Sequence, residues 1–174
     1  MNKAVFIDRD GVINKQAKAH EYITSWKEFK FFPTLLNAFA KISKTDYKII
    51  IITNQRGIAR GKMSVDDLGK IHKKMSEEII KAGGRIDGIY FCPHDDNSCN
   101  CRKPLPGLLD KAMNEKNLCL QESWVVGNFL SDIELGKSRN CKTIYIGNNK
   151  QTTNLSDFSV NCLDEAVDLI LSFT

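Results

Sequence analysis

Two carboxylates set one residue apart, Asp8 and Asp10, close an apolar run that begins at Ala4. In extended backbone the side chains at i and i+2 point the same way, so both acids face one pocket, and two crowded carboxylates want a cation. Gly11 behind them lets the main chain turn sharply or come close to a ligand. The plain alternative is a turn at the strand end in which the two Asp side chains cap local amides. A second apolar run, Ile49 to Ile52, ends in Thr53-Asn54-Gln55-Arg56-Gly57. A hydroxyl followed by free amides and glycine can donate hydrogen bonds to phosphate oxygens, or can be an ordinary loop from strand to helix.

Cys92, His94, Cys99 and Cys101 form a third group, each pair spaced i, i+2, with the turn formers Asp95 to Ser98 folding one pair back on the other. Three thiolates and an imidazole converging on one point make a closed tetrahedral zinc site, structural because no position is left open. A disulfide would leave His94 unexplained, and a reducing compartment disfavours it. A zinc-dependent nucleic-acid module is the rival class. Against it stand Asp95, Asp96 and the lack of a basic helix behind the loop. Arg102 and Lys103 follow at once, so loop 92–101 fixes the position of two cations. A guanidinium fork suits a second phosphate or sugar oxygen, although two basic residues at a surface are ordinarily just solvated.

These groups need a frame. Buried strands are expected at 3–8, 47–53, 86–92, 124–127 and 143–147, with a short edge strand at 158–162. Leu35, Leu36, Phe39, Ala40 and Ile42 recur at helical spacing behind Pro33. Val65, Leu68, Ile71, Met75 and Ile79 form one face of a helix capped by Ser64 and ended by Gly83-Gly84. Further helices are expected from Gly107 to about Asn117 and from Asp164 to Leu171. Such alternation makes a three-layer α/β sandwich with a mostly parallel central sheet, of Rossmann type, whose ligands lie outside the carboxyl ends of the strands. Residues 15–30 read as a loop over the pocket and 148–156 as a mobile loop. His20 reads as a surface histidine, and His72, among Lys70, Lys73 and Lys74, as solvated. Cys119, Cys141 and Cys162 read as core.

With 174 residues the chain fits one domain, 1–174, and leaves no room for a cap domain between the polar groups. Its 25 basic and 21 acidic residues are interspersed, and the resulting charge of +4 suits a small phosphate ester better than nucleic acid. The apolar lead before Asp8 is too short for a secretory signal, and no run approaches a membrane span. A cytoplasmic monomer acting on a small molecule is expected.

Asp8-Arg9-Asp10-Gly11 resembles the first motif of the haloacid dehalogenase superfamily of phosphotransferases, in which the first Asp attacks phosphorus and the second handles protons. That resemblance implies an aspartyl phosphate on Asp8 and acid–base work by Asp10. It extends to Thr53, in the place of the second-motif hydroxyl, and to Lys103, in the place of the lysine that holds nucleophile and phosphoryl group together. Thr53-Asn54-Gln55, the following Gly57-Ile58-Ala59-Arg60-Gly61 and the short zinc loop are similar to capless phosphatases acting on heptose bisphosphate or histidinol phosphate. The resemblance implies magnesium-dependent removal of the 7-phosphate of D-glycero-D-manno-heptose 1,7-bisphosphate, for nucleotide-heptose synthesis and surface polysaccharide, with histidinol phosphate as the nearest rival. It further implies substrate contacts from Gln16, Ala17, Lys18, Ala19, Thr53, Asn54, Gln55, Arg56, Arg102 and Lys103, and magnesium held by Asp8, Asp10, Asn128 and Asp132.

At the fourth motif the chain departs from the superfamily, which has Gly-Asp where this sequence has Gly127-Asn128. A neutral oxygen replaces a charged magnesium ligand, which weakens the site unless Asp132 acts through water or moves inward. Phe129 stands where related sugar phosphatases have a polar or basic residue. Three explanations are open: an enzyme that works with weaker metal, an engineered trap, or a sugar-phosphate-binding protein with impaired catalysis.

Overall fold

Four consecutive isoleucines, Ile49 to Ile52, put two side chains on each face of one strand, and all four are fully buried. A sheet with helices on both sides is the arrangement that accepts such a strand. The computed structural model describes residues 1–19 and 21–174; His20, expected at the surface, lies outside them.

The strands are β1 (Ala4–Asp8), β2 (Lys48–Asn54), β3 (Gly88–Cys92), β4 (Trp124–Gly127), β5 (Lys142–Ile146) and β6 (Phe158–Val160). They form one sheet in the order β3-β2-β1-β4-β5-β6, with every neighbouring pair parallel. The chain order reverses between β1 and β4, and the crevice at such a switch point, beyond the carboxyl ends, is where doubly wound sheets hold ligands. Val5 and Ile7 of β1 pack with Ile49, Ile51 and Val126 beneath α1 (Leu35–Ile42), α3 (Val65–Lys81) and α7 (Leu163–Leu171). Ala4 and Phe6 point the other way, with Ile50, Ile52 and Val125, onto α4 (Gly107–Lys116) and α5 (Leu130–Ser138).

Several local expectations change. Residues 148–156 hold a helix, α6 (Lys150–Leu155), opened by the Asn149 side chain, which accepts from the Thr152 amide; a polar composition hid a capped turn. The one-turn α2 (Arg56–Ala59) and the whole of α5 were not visible in the pattern, α5 because its apolar residues do not gather on one face. Val65 is exposed, and only Cys141 of the three isolated cysteines is fully inside; Cys119 and Cys162 are half-buried. Among the described residues the long segment after β1 carries only isolated bridges, Asp10 to Asn14 and Asn14 to Phe31, and no cap is inserted. Among the described residues no helix is long and apolar enough to cross a membrane.

Ser64 and Asp67 exchange side-chain and backbone hydrogen bonds, each 3.1 Å, at the start of α3. Ser64→Ala removes that reciprocal cap and is expected to lower stability by about 1 kcal/mol, read from urea unfolding.

Candidate active site

Asp8 is the last residue of β1 and is 4% exposed. Its Oδ1 accepts from Lys103 Nζ at 2.7 Å, and the same ammonium reaches Asp132 Oδ1 at 2.6 Å. Burial raises the Asp8 pKa to about 7, with Asp132 adding to the shift and Lys103 opposing it. Lys103 is driven upward: burial alone would discharge it, and the two carboxylates outweigh that. Asp132, expected as a magnesium ligand through water or by moving inward, is instead fully buried. One of its oxygens is on Lys103 and the other accepts from the Phe129 amide at 3.0 Å. It approaches the end of β4 so closely that a Cβ on Gly127 would lie 2.3 Å from its carboxyl.

Asp10 is turned elsewhere. Its carboxylate accepts from Arg9 Nη2 at 2.8 Å, Asn14 Nδ2 at 2.9 Å and Gln55 Nε2 at 2.8 Å. Burial pushes its pKa up, but the Arg9 charge and these hydrogen bonds win and hold it below the usual carboxylate value. Neither Asp8 nor Asp10 caps a local amide among the described residues, so the plain turn reading fails. Gln55 Nε2 also donates to Thr53 Oγ1 at 2.8 Å, which leaves the threonine hydrogen to be given to a ligand. Gln55 thus ties the hydroxyl to the acid.

His72, expected in solvent, is 8% exposed, with Nε2 3.2 Å from Arg9 Nη1. Burial and the Arg9 charge push its pKa down to about 3, against the pull of Asp10. A guanidinium can only donate, so Nε2 accepts. The missed signal was spacing: His72 lies four residues after Leu68 and three before Met75, on the apolar stripe.

The Asn128 amide stands 3.2 Å from Asp8 Oδ2 and 3.3 Å from the Asp10 carbonyl oxygen, both acceptors, so hydrogen bonding alone assigns its nitrogen to that side. Turned over, it would present its own oxygen at that point beside the other two. Those separations lie near the ~3 Å edge of an octahedron with ~2.1 Å bonds, so Asp8, the Asp10 carbonyl and Asn128 fit a magnesium ion, with one formal charge among them. Of Asp10, expected as a ligand, it is the main-chain oxygen that faces this point, the carboxylate being committed to Arg9. A Cβ at Gly11 would meet this amide at 2.3 Å, and Gly11 has φ +95°, which explains the glycine twice over.

Beyond β3, the ligand atoms of Cys92, His94, Cys99 and Cys101 lie within 4.8 Å of one another. Contacts of 3.4 to 3.6 Å link sulfur to sulfur and sulfur to His94 Nδ1. A tetrahedron with zinc bond lengths has edges of about 3.6 to 3.8 Å, so this donor set fits zinc. The six cysteines are unpaired.

Asp95 and Asp96 of the same loop do more than turn the chain. Arg56 pairs with both, and Arg102 Nε donates to Asp96 at 2.7 Å while its Nη1 is buried without a partner among the described residues. Asn54, expected at the substrate, clamps the main chain of Lys103, accepting its amide at 3.1 Å and donating to its carbonyl at 3.3 Å.

The groups surround a cleft of about 670 Å³. Gln16, Ala17, Lys18, Ala19, Thr53, Asn54, Gln55, Arg102 and Lys103 all line it, as do Asp8 and Asp10. Arg56 does not, because the zinc loop holds it. Phe129, singled out for its departure from related sugar phosphatases, lines it too, and Glu21, Tyr22, Ile23 and Ser131 are lining residues that the sequence pattern did not single out.

The chain matches the family described as polynucleotide kinase 3 phosphatase over residues 3–160. It is 38% identical over 133 residues to the D-glycero-beta-D-manno-heptose-1,7-bisphosphate 7-phosphatase of Neisseria meningitidis serogroup A, spanning 76% of this chain and 70% of that one. The enzyme of the same name from Helicobacter pylori strain 26695 is 34% identical over 172 residues, 97% of this chain and 98% of its own. The chain belongs to this phosphatase family. Among solved structures, D,D-heptose 1,7-bisphosphate phosphatase from B. bronchiseptica, complexed with magnesium and phosphate, superposes with a TM-score of 0.89 at 30% identity over 99% of both chains. A phosphoric monoester hydrolase of the haloacid dehalogenase superfamily is thus the class to which the buried carboxylates belong.

His72 carries a pH consequence. Its folded pKa lies below the ordinary 6.5, so the neutral form stabilises the fold above that value, and the contribution is lost as pH falls toward about 3. Relative to neutral pH, about 2 kcal/mol is expected to be gone by about pH 5. Unfolding curves across that interval should flatten in His72→Gln.

Proposed function

We propose that residues 1–174 act as one catalytic unit that removes the 7-phosphate of D-glycero-D-manno-heptose 1,7-bisphosphate. The observation that carries this reading is the buried Asp8 carboxylate at the tip of β1, paired with the Lys103 ammonium and opening onto a cleft lined by Thr53 and Arg102. The relatives' own substrate supplies the sugar. An Asp8 oxygen attacks phosphorus, the ester P–O bond breaks, and the departing alkoxide takes a proton from Asp10. Water then attacks the aspartyl phosphate while Asp10 accepts its proton, and inorganic phosphate leaves as Asp8 is restored. Arg9 keeps Asp10 ionised at rest; a phosphate dianion arriving beside it favours protonation, since a like charge nearby raises an acid's pKa. Thr53 donates to a phosphoryl oxygen, and Lys103 holds nucleophile and phosphoryl group together against their mutual repulsion.

Magnesium on Asp8, the Asp10 carbonyl and Asn128 would neutralise the equatorial phosphoryl oxygens and draw Asp8 toward its ionised form. Zinc on Cys92, His94, Cys99 and Cys101 would hold the loop that carries Arg102 and Lys103. Reduced thiols at that site accord with a cytoplasmic setting. The family's description also admits a polynucleotide 3′-phosphate, and the resemblance brought in histidinol phosphate; the dispersed charge and the relatives' names favour the sugar.

Phosphate release from the heptose bisphosphate, histidinol phosphate and a 3′-phosphorylated oligonucleotide, compared side by side with magnesium, tests the substrate; faster turnover of either rival sinks the sugar assignment. Asp8→Asn should cut kcat by at least about a thousandfold, and an unchanged rate would remove the nucleophile. Asn128→Asp adds the missing charge and should tighten magnesium roughly tenfold or more by calorimetric titration. Metal analysis should find one zinc per chain, and stripping it should lower both the melting temperature and kcat.

A further inference from the structure

One buried basic group at the cleft wall, Arg9, holds the acid–base carboxylate, and behind it stands a buried imidazole, His72, that the chemistry above does not use. Arg9 is 1% exposed and, following the alternation of β1, shares the face of Val5 and Ile7, where α3 packs. Its Nη2 holds the Asp10 carboxylate at 2.8 Å, its Nη1 meets His72 Nε2 at 3.2 Å, and its guanidinium carbon lies 5.9 Å from the centre of the Phe29 ring. Its Nε is buried without a partner among the described residues. A guanidinium is planar, so anchoring one nitrogen sets where the others point. Two anchors are available inside the fold, the Phe29 ring and the His72 lone pair, and only the second is directional.

We propose that His72 is a positioning residue for the acid–base step: by accepting from Arg9 it fixes the plane of the guanidinium, and Arg9 in turn fixes the rotamer in which Asp10 meets the leaving oxygen. The inference rests on the phosphatase reading above. In that step the ester P–O bond breaks as the P–O bond to Asp8 forms, and the Asp10 proton passes to the alkoxide. Removing the acceptor from α3 leaves a second guanidinium donor unpaired beside Asp10. The carboxylate then keeps its charge but loses its aim, and misaimed catalytic groups cost rate more than binding.

The test uses two substitutions and two esters on the full chain with magnesium. His72→Leu removes the acceptor; His72→Gln supplies a side-chain oxygen that accepts in its place. On the heptose bisphosphate, whose sugar alkoxide needs a proton to leave, His72→Leu should lower kcat roughly ten- to hundredfold with KM unchanged, and His72→Gln should restore most of it. On p-nitrophenyl phosphate, whose phenolate leaves without a proton, His72→Leu should lose less than about threefold. Equal losses on the two esters overturn the proposal, as do wild-type kcat in both variants, a rise in KM alone, or a failure of Gln to rescue when thermal melts find both variants folded. If His72→Leu does not fold, the Gln variant and wild type are compared on the two esters with Arg9→Lys, which keeps the charge and loses the fork; an equal defect on both esters there also overturns it. Absence of turnover in the wild type defeats the phosphatase reading itself, and this inference with it, whereas wild-type activity that vanishes in Asp8→Asn isolates the His72 result.

Discussion

A single ammonium buried between two carboxylates holds this molecule's chemistry in place. Lys103 is 6% exposed, and it could not stay charged there without Asp8 and Asp132 at 2.7 and 2.6 Å. Nor would two carboxylates be set side by side at the end of a sheet without a cation between them. The three groups come from three separate parts of the chain: the end of β1, the loop after the zinc site, and the first turn of α5. Breaking any one leaves an uncompensated charge in the core, so fold and site are coupled at that point. The pair with Asp8 also bears on the proposed reaction, in which Asp8 would have to be near its ionised form to attack, and yet burial pushes it up to about 7.

Around this centre the loops are stapled to one another. Asn54 pairs with the main chain of Lys103 as one peptide pairs with another, and Gln55 joins Thr53 to Asp10. Arg56 and Arg102 are drawn to Asp95 and Asp96. Residues at the tip of β2 that a motif would assign to substrate spend much of their hydrogen-bonding capacity on protein instead. Without a cap domain, this stapling is what gives the cleft a fixed wall.

Much of the frame was legible in the sequence because buried parallel strands announce themselves. Ile49 to Ile52, Val5 to Ile7 and Trp124 to Val126 are apolar on both faces, and they lead to Thr53, Asp8 and, one residue further on, Asn128. The convergence of Cys92, His94, Cys99 and Cys101 was legible because spacing and residue type are both restrictive. What escaped were features whose signal is relational. Asp132 looks from sequence like any acid near a metal, and only Lys103 and the Phe129 amide reveal it as the lysine's second support. Arg9 lies between two conspicuous acids and was passed over, although strand alternation sends it to the opposite face. His72 was obscured by three neighbouring lysines that are exposed, while its own position on α3 is on the inner stripe. Helix α6 was hidden by polar composition, since a side-chain cap, rather than apolar periodicity, begins it.

The amide at Asn128 has a further consequence. Asparagine keeps the size of aspartate but can turn either a donor or an acceptor toward Asp8 and the Asp10 carbonyl. An aspartate in that place would set two negative groups and a carbonyl dipole against each other, and the crevice would have to spread until an ion pulled it together. Here the same outline serves both occasions, so the architecture is decoupled from ion supply. For the magnesium site proposed above, weaker affinity would be the counterpart of a pocket that arrives already shaped.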